Sequence, residues 1–264
     1  MKRSIAAWLE RRRAHTKALA VAVPEGELCA LPDALPWPPP PGPVLVLAPH
    51  PDDEVIGCGG LLVRLVQAGV AVRVVLVTDG NGAGGLPAGA ALVRQAEFKA
   101  SLARLGVTDY AMLNFPDGGL VAAAPLFEAI DAEVRAFAPR WVVSPSAADA
   151  HRDHRCTARA VRRAAMAHDC VQTILEYETW GALPATHVLD ITDQLATKMA
   201  ALAEHATSLA QMDYARATAG LAQYRGLLLR EKRVQAAGEA FICTGRSTGF
   251  AWPVDWGRPT QPER

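Results

Sequence analysis

The chain has 264 residues, half of them apolar, and its 27 basic side chains offset 27 acidic ones. That composition excludes wholesale disorder and offers no basic footprint for nucleic acid. No apolar run reaches the roughly 18 residues of a membrane span, and five scattered cysteines, odd in number and never spaced C-x-x-C, fit reduced thiols in a cytoplasmic protein.

Residues 2–22 carry Ile5, Trp8 and Leu9 among basic side chains, the pattern of a short amphipathic helix. Glu10 and Arg11 to Arg13 interrupt it before signal-peptide length, so no signal peptide is expected. Seven prolines within 31–43 predict an extended tether. The chain thus divides into an arm over 1–43, of which 1–40 is expected to be dispensable for chemistry, and a folded domain over 44–264. Val44–Ala48 is a continuous apolar run, as in a strand buried on both faces. A helix follows over 61–68, a second strand over 70–78 and a loop with five glycines over 79–89. Helices at 94–105, 125–137 and 154–168 alternate with strands at 110–113, 141–144, 173–178 and 187–191, and 193–236 is mostly helical. This alternation predicts an α/β fold, a Rossmann-like three-layer sandwich with a mostly parallel sheet and helices on both faces.

Ligands of such sheets bind beyond the carboxyl ends of the strands, which directs attention to 48–60, 78–90, 114–119 and 145–155. After the first strand stands His50-Pro51-Asp52-Asp53-Glu54. Three consecutive acids would repel a phosphate, and Gly57, Gly59 and Gly60 lack the spacing of a dinucleotide loop. Imidazole and carboxylate at i and i+3 can instead converge on one cation, and imidazole suits zinc. After the fourth strand stands His151-Arg152-Asp153-His154, with Asp149 just before it. Three of the seven histidines thus occupy strand ends.

His50-Pro51-Asp52-Asp53-Glu54 with a downstream His151-x-Asp153-His154 resembles the PIG-L/LmbE family of zinc-dependent de-N-acetylases. The likeness extends over about 44–242 through Arg94-x-x-Glu97, Leu105-Gly106, Phe115-Pro116-Asp117-Gly118, Glu176-Tyr177, Lys198 with His205, and Glu239-Ala240-Phe241. It implies that His50, Asp53 and His154 hold Zn2+ and that Asp52 is the general base. It also implies that His151, oriented by Asp153, stabilises the oxyanion and protonates the leaving amine, while Arg94 and Asp117 contact the sugar. The substrate is then a small amino-sugar conjugate, with neither nucleic acid nor membrane as partner and a homo-oligomer left open. His/Asp ligation also tolerates Fe2+. Three protein ligands leave a metal position open, and a free carboxylate beside it can take a proton from water.

Simpler readings stand beside these. Glu54 suits a helix N-terminus, Cys58 a packed core and His205 a satisfied late-helix residue. Arg94 can pair with Glu97 one turn on, and Asp117 or Asp149 can serve a turn. The rival functions are a zinc amidase for a non-sugar amide, a nucleotide-binding module, and an inactive relative.

Overall fold

The computed structural model describes residues 32–35, 37, 42–82, 86, 89–229 and 233–245. The helix expected over 2–22, five of the eleven residues of the glycine-rich loop and five of the seven prolines of the expected tether lie outside these residues. Among the described residues the strands are β1 (Asp33–Ala34), β2 (Val44–Ala48), β3 (Val72–Thr78), β4 (Asp109–Phe115), β5 (Trp141–Pro145), β6 (Thr173–Tyr177), β7 (His187–Asp190) and β8 (Gly238–Gly245). The helices are α1 (Asp53–Gln67), α2 (Ala90–Leu105), α3 (Ala124–Phe137), α4 (Arg152–Ala167), α5 (Leu195–Leu202), α6 (Ala206–Leu209) and α7 (Tyr214–Gly226).

The strands form one sheet in the order β1-β7-β8-β6-β5-β2-β3-β4. All pairings are parallel except those of β8, which runs antiparallel to both β6 and β7. Successive residues of a strand point to opposite faces, so the apolar runs feed two cores. Val44, Val46, Val74 and Leu76 pack on one side with Val55, Leu61, Phe98 and Leu102. Leu45, Leu47, Val75 and Val77 pack on the other with Leu126, Ile130, Val134 and Val161. Helices cover both faces, which is the three-layer arrangement expected. The compact unit begins at Pro32. Asp33–Ala34 pairs with β7, and Leu35 is buried, so the first part of the expected tether contributes an edge strand instead.

The chain passes from β2 to β3 to β4 on one side, then crosses back so that β5 lies against the other edge of β2. Strand order reverses there, and the loops after β2 and β5 diverge around a crevice. Both histidine motifs leave the sheet at this point.

Helix α1 begins eight residues before the expected start at Leu61, because the glycines there serve close packing. A Cβ on Gly57 would lie 2.1 Å from Tyr177, and one on Gly60 would lie 2.5 Å from Ile191. The helix is broken at Cys58 (φ −147°, ψ 25°). A buried ion pair enters the break. Lys198 Nζ donates to the Ile56 carbonyl at 2.9 Å and lies 2.7 Å from Glu239 Oε1. Glu239 in turn accepts from the Gly60 and Leu61 N–H groups at 2.7 and 2.8 Å. Backbone groups released by the break are thereby satisfied.

Candidate active site

Strand β2 ends at Ala48, and the next residues turn sharply into α1. Asp52 occupies φ 124°, ψ −26° at the helix start. A non-glycine residue held in so sparse a region costs on the order of 1–3 kcal/mol and persists only where its surroundings fix it. Here its N–H donates to Glu54 Oε2 at 3.1 Å, and its carbonyl accepts from Val55 and Ile56. Glu54 is fully buried and held through Oε1 by Ser101 Oγ (3.2 Å) and His205 Nε2 (3.0 Å). The turn separates three adjacent carboxylates: Asp52 lines the cleft, Asp53 meets the histidines, and Glu54 lies in the core.

Helix α4 brings the second motif opposite. His50 Nδ1 lies 3.2 Å from Asp53 Oδ2 and 3.2 Å from His154 Nε2, and the last two atoms are 3.1 Å apart. Three donor atoms thus form a nearly equilateral triangle. Tetrahedral ligands at bonds of about 2.0–2.1 Å are separated by roughly 3.3 Å, so the donor set fits one small divalent cation. His50 also belongs to two wider groups of candidate ligands, one with His151 and His154 and one with Asp117 and Asp153.

The histidines are oriented from behind, as ligand imidazoles commonly are. Thr179 Oγ1 lies 2.8 Å from His154 Nδ1 and donates to Asp149 Oδ2 at 2.9 Å, which itself lies 3.3 Å from that nitrogen. Asp149 also accepts the His151 N–H at 2.7 Å. His50 Nε2 lies 3.1 Å from Asp117 Oδ1 and 3.3 Å from Asp153 Oδ2.

Three expected site residues sit in the cluster but face other partners than expected. Asp153 directs its carboxylate to His50 and to the Gly118 and Leu120 N–H groups. It reaches His151 only through its backbone N–H, which donates to His151 Nδ1 at 3.2 Å and caps α4. Arg94, expected at the sugar, is buried and donates to the carbonyls of Gly80 (2.7 Å) and Pro51 (3.2 Å). Its guanidinium also stands 3.4 Å from Asp117 and 3.8 Å from Asp52. Asp117 is divided between His50 and Arg94. Arg94 and Asp117 line the cleft, yet their hydrogen bonds brace the motif loops.

Electrostatics follow the geometry. Burial would raise the Asp53 carboxyl, but His154 and His50 hold it well below the usual carboxylate range. Burial would lower His154, but Asp53 and Asp149 push it up to about 9. Burial and the adjacent Asp53 raise the Asp52 carboxyl to about 6, against the lowering influence of His205 and Arg94. His151 is lowered by burial and by its two histidine neighbours.

The cleft above these groups has a volume of about 530 Å³. Its walls include Thr179 and Trp180 after β6, and Met212, Tyr214 and Leu221 on and before α7. Sequence reasoning missed these residues, although Thr179 and Trp180 follow a strand end as both motifs do.

The GlcNAc-PI de-N-acetylase (PIG-L) family model matches residues 45–165. An uncharacterized deacetylase of Escherichia coli, YaiS, is 30% identical over 174 residues, which is 61% of this chain and 89% of that protein. The diacetylchitobiose deacetylase of Thermococcus kodakarensis is 35% identical over 119 residues, 42% of this chain and 45% of that one. The structure of N,N'-diacetylchitobiose deacetylase from Pyrococcus horikoshii superposes with a TM-score of 0.69 at 24% identity, over 76% of this chain and 83% of that one. Together with the paired motifs at the switch point of the sheet, these likenesses show that the chain belongs to the PIG-L family of hydrolytic de-N-acetylases.

Proposed function

We propose that the protein is a zinc-dependent de-N-acetylase that removes the acetyl group from an N-acetylglucosamine-type sugar conjugate. The observation that carries this is the triangle of His50 Nδ1, Asp53 Oδ2 and His154 Nε2, with Asp52 and His151 beside it on the cleft. These three residues would hold the metal. When bound, it supplies Lewis acidity that polarises an amide carbonyl and makes a water molecule more acidic.

The chain's own groups perform the remaining steps. Asp52, ionised near neutral pH and free of ligation, accepts the proton of the attacking water. His151 receives a backbone N–H at Nδ1, so its neutral form carries hydrogen on Nε2. That hydrogen is a donor for the carbonyl oxygen as negative charge develops there. An imidazolium would need a proton on Nδ1 as well, against the Asp153 N–H, and the neighbouring histidines also disfavour it. His151 is therefore assigned to the oxyanion only. Asp52 returns the proton to the amine nitrogen as the carbon–nitrogen bond breaks, releasing acetate and the free amine.

The sugar assignment rests on the relatives that act on diacetylchitobiose, because Arg94 and Asp117 are engaged elsewhere. Acetate release from N-acetylglucosamine conjugates, compared with acetyl-lysine peptides, tests it; equal or better turnover of the peptides sinks the sugar while leaving the metal hydrolase. Asp52→Asn should retain metal and lose about 10² or more in kcat, the range for a general base. Loss of metal in that variant would instead make Asp52 a ligand.

A further inference from the structure

The cleft carries more than the hydrolytic groups need. Its wall between the end of β6 and α7 is apolar, and its side chains are open to solvent: Trp180 is 45% exposed and Met212 51%. Trp180 meets Tyr214 edge to face, with ring centroids 5.9 Å apart. Rings left exposed by chance on a surface need no bracing, but this pair is braced from several directions. The backbone N–H of Trp180 donates to Asp149 Oδ2 at 3.2 Å, tying this position to the residue that also orients His154. Two residues earlier, buried Glu178 pairs with buried Arg225 of α7 (Nε to Oε2, 3.0 Å) and accepts the Leu183 N–H at 2.7 Å. Asp213 caps α7 by accepting the Arg216 N–H at 3.0 Å, just before Tyr214. The β6 loop and α7 are therefore clamped together, with the aromatic wall between them. Apolar area held rigid inside a cleft is preorganised for a ligand.

Size agrees. An N-acetylhexosamine of roughly 15 non-hydrogen atoms occupies on the order of 250 Å³ at organic packing density. The cleft, at about 530 Å³, has room for another group of similar size. We infer that Trp180, Met212 and Tyr214 form a subsite for an apolar or aromatic aglycone, so that the substrate is an amphipathic glycoside and not the free sugar. This rests on the deacetylase reading above. Aromatic rings favour edge and offset contacts with such a group, and the thioether adds a polarisable surface.

The test compares the methyl and phenyl β-glycosides of N-acetylglucosamine with metal-loaded protein, reading acetate release. The wild type should favour the phenyl glycoside by about tenfold or more in kcat/KM, mostly through KM, the range for one apolar group in a pocket. Trp180→Ala and Met212→Ser should each reduce that ratio to about threefold or less, and Trp180→Phe should keep part of it. Both positions are exposed, so folding is checked simply by circular dichroism and metal content. A wild-type ratio near one, or a preference that survives Trp180→Ala, overturns the subsite while methyl glycoside turnover upholds the deacetylase. Failure of both glycosides overturns the sugar reading and this inference with it.

Discussion

Replacing Glu239 with alanine removes one partner from the break in α1 and takes their carboxylate acceptor from three donors. These are the Gly60 N–H, the Leu61 N–H and the Lys198 ammonium, which keeps the Ile56 carbonyl but loses its counter-charge. Both members of the ion pair are buried, Lys198 at 2% exposure and Glu239 at 4%. An orphaned backbone group costs about 1–3 kcal/mol, and a buried charge stripped of its partner about 3–5 kcal/mol. The costs overlap, because one new cavity relaxes around all three donors, so the expected loss is about 4–6 kcal/mol. With a urea slope of about 3 kcal/mol/M, the unfolding midpoint falls by roughly 1.3–2 M. Lys198→Met combined with Glu239→Gln removes the charge and keeps an acceptor, and should cost only about 2–3 kcal/mol. Because the half of α1 before the break carries Asp53, metal retention should fall in the alanine variant too. A loss below about 1 kcal/mol, or a double variant no more stable than the single one, would refute the reasoning.

Metal binding near neutral pH should release protons, because Asp53 and Asp149 keep His154 protonated up to about 9 when no cation competes; titration calorimetry in buffers of different ionisation enthalpy measures it, and no dependence on buffer counts against this ligand set. Thr179→Val removes the hydroxyl that bridges His154 and Asp149, leaving their direct 3.3 Å contact, and should weaken metal affinity about 10-fold in competition with a chelator, as loss of a ligand-orienting partner does. The Asp52 carboxyl, raised to about 6, must be ionised to act, so activity is lost as pH falls through its pKa. A bound cation shifts that limb downward. Arg94→Met removes a stabilising positive charge and should move it upward in kcat/KM profiles. A downward movement would exclude Arg94 as a partner of Asp52.

The strands β2, β3 and β5 were legible because each is a short, largely apolar run, and the two metal-type motifs because three of the seven histidines gather with carboxylates at strand ends. The start of α1 was hidden. Gly57, Gly59 and Gly60 argue against a helix by propensity, and only the approach of Tyr177, Lys198 and Ile191 explains them. Strand β8 was missed because Glu239, Thr244 and two glycines break its apolar pattern, although its pairing buries most of it. Arg94 and Asp117 line the cleft, but their partners depend on three loops meeting, which no local spacing encodes. Trp180 could have been found by extending the strand-end rule to β6.

Strand β8 has a consequence for how the chain assembles. Among the described residues, β1 pairs only with β7, and β7 reaches the rest of the sheet only through β8. During synthesis, the first strand of the sheet therefore waits for the last. Until Gly245 has emerged, β6 presents an open edge bearing Ile174, Leu175 and Tyr177, all buried in the finished fold. Such an edge can pair with another chain, and closure over so long a sequence separation is slow. A chain ending before Gly238 forfeits three of the eight described strands, not one, and leaves that edge permanently exposed.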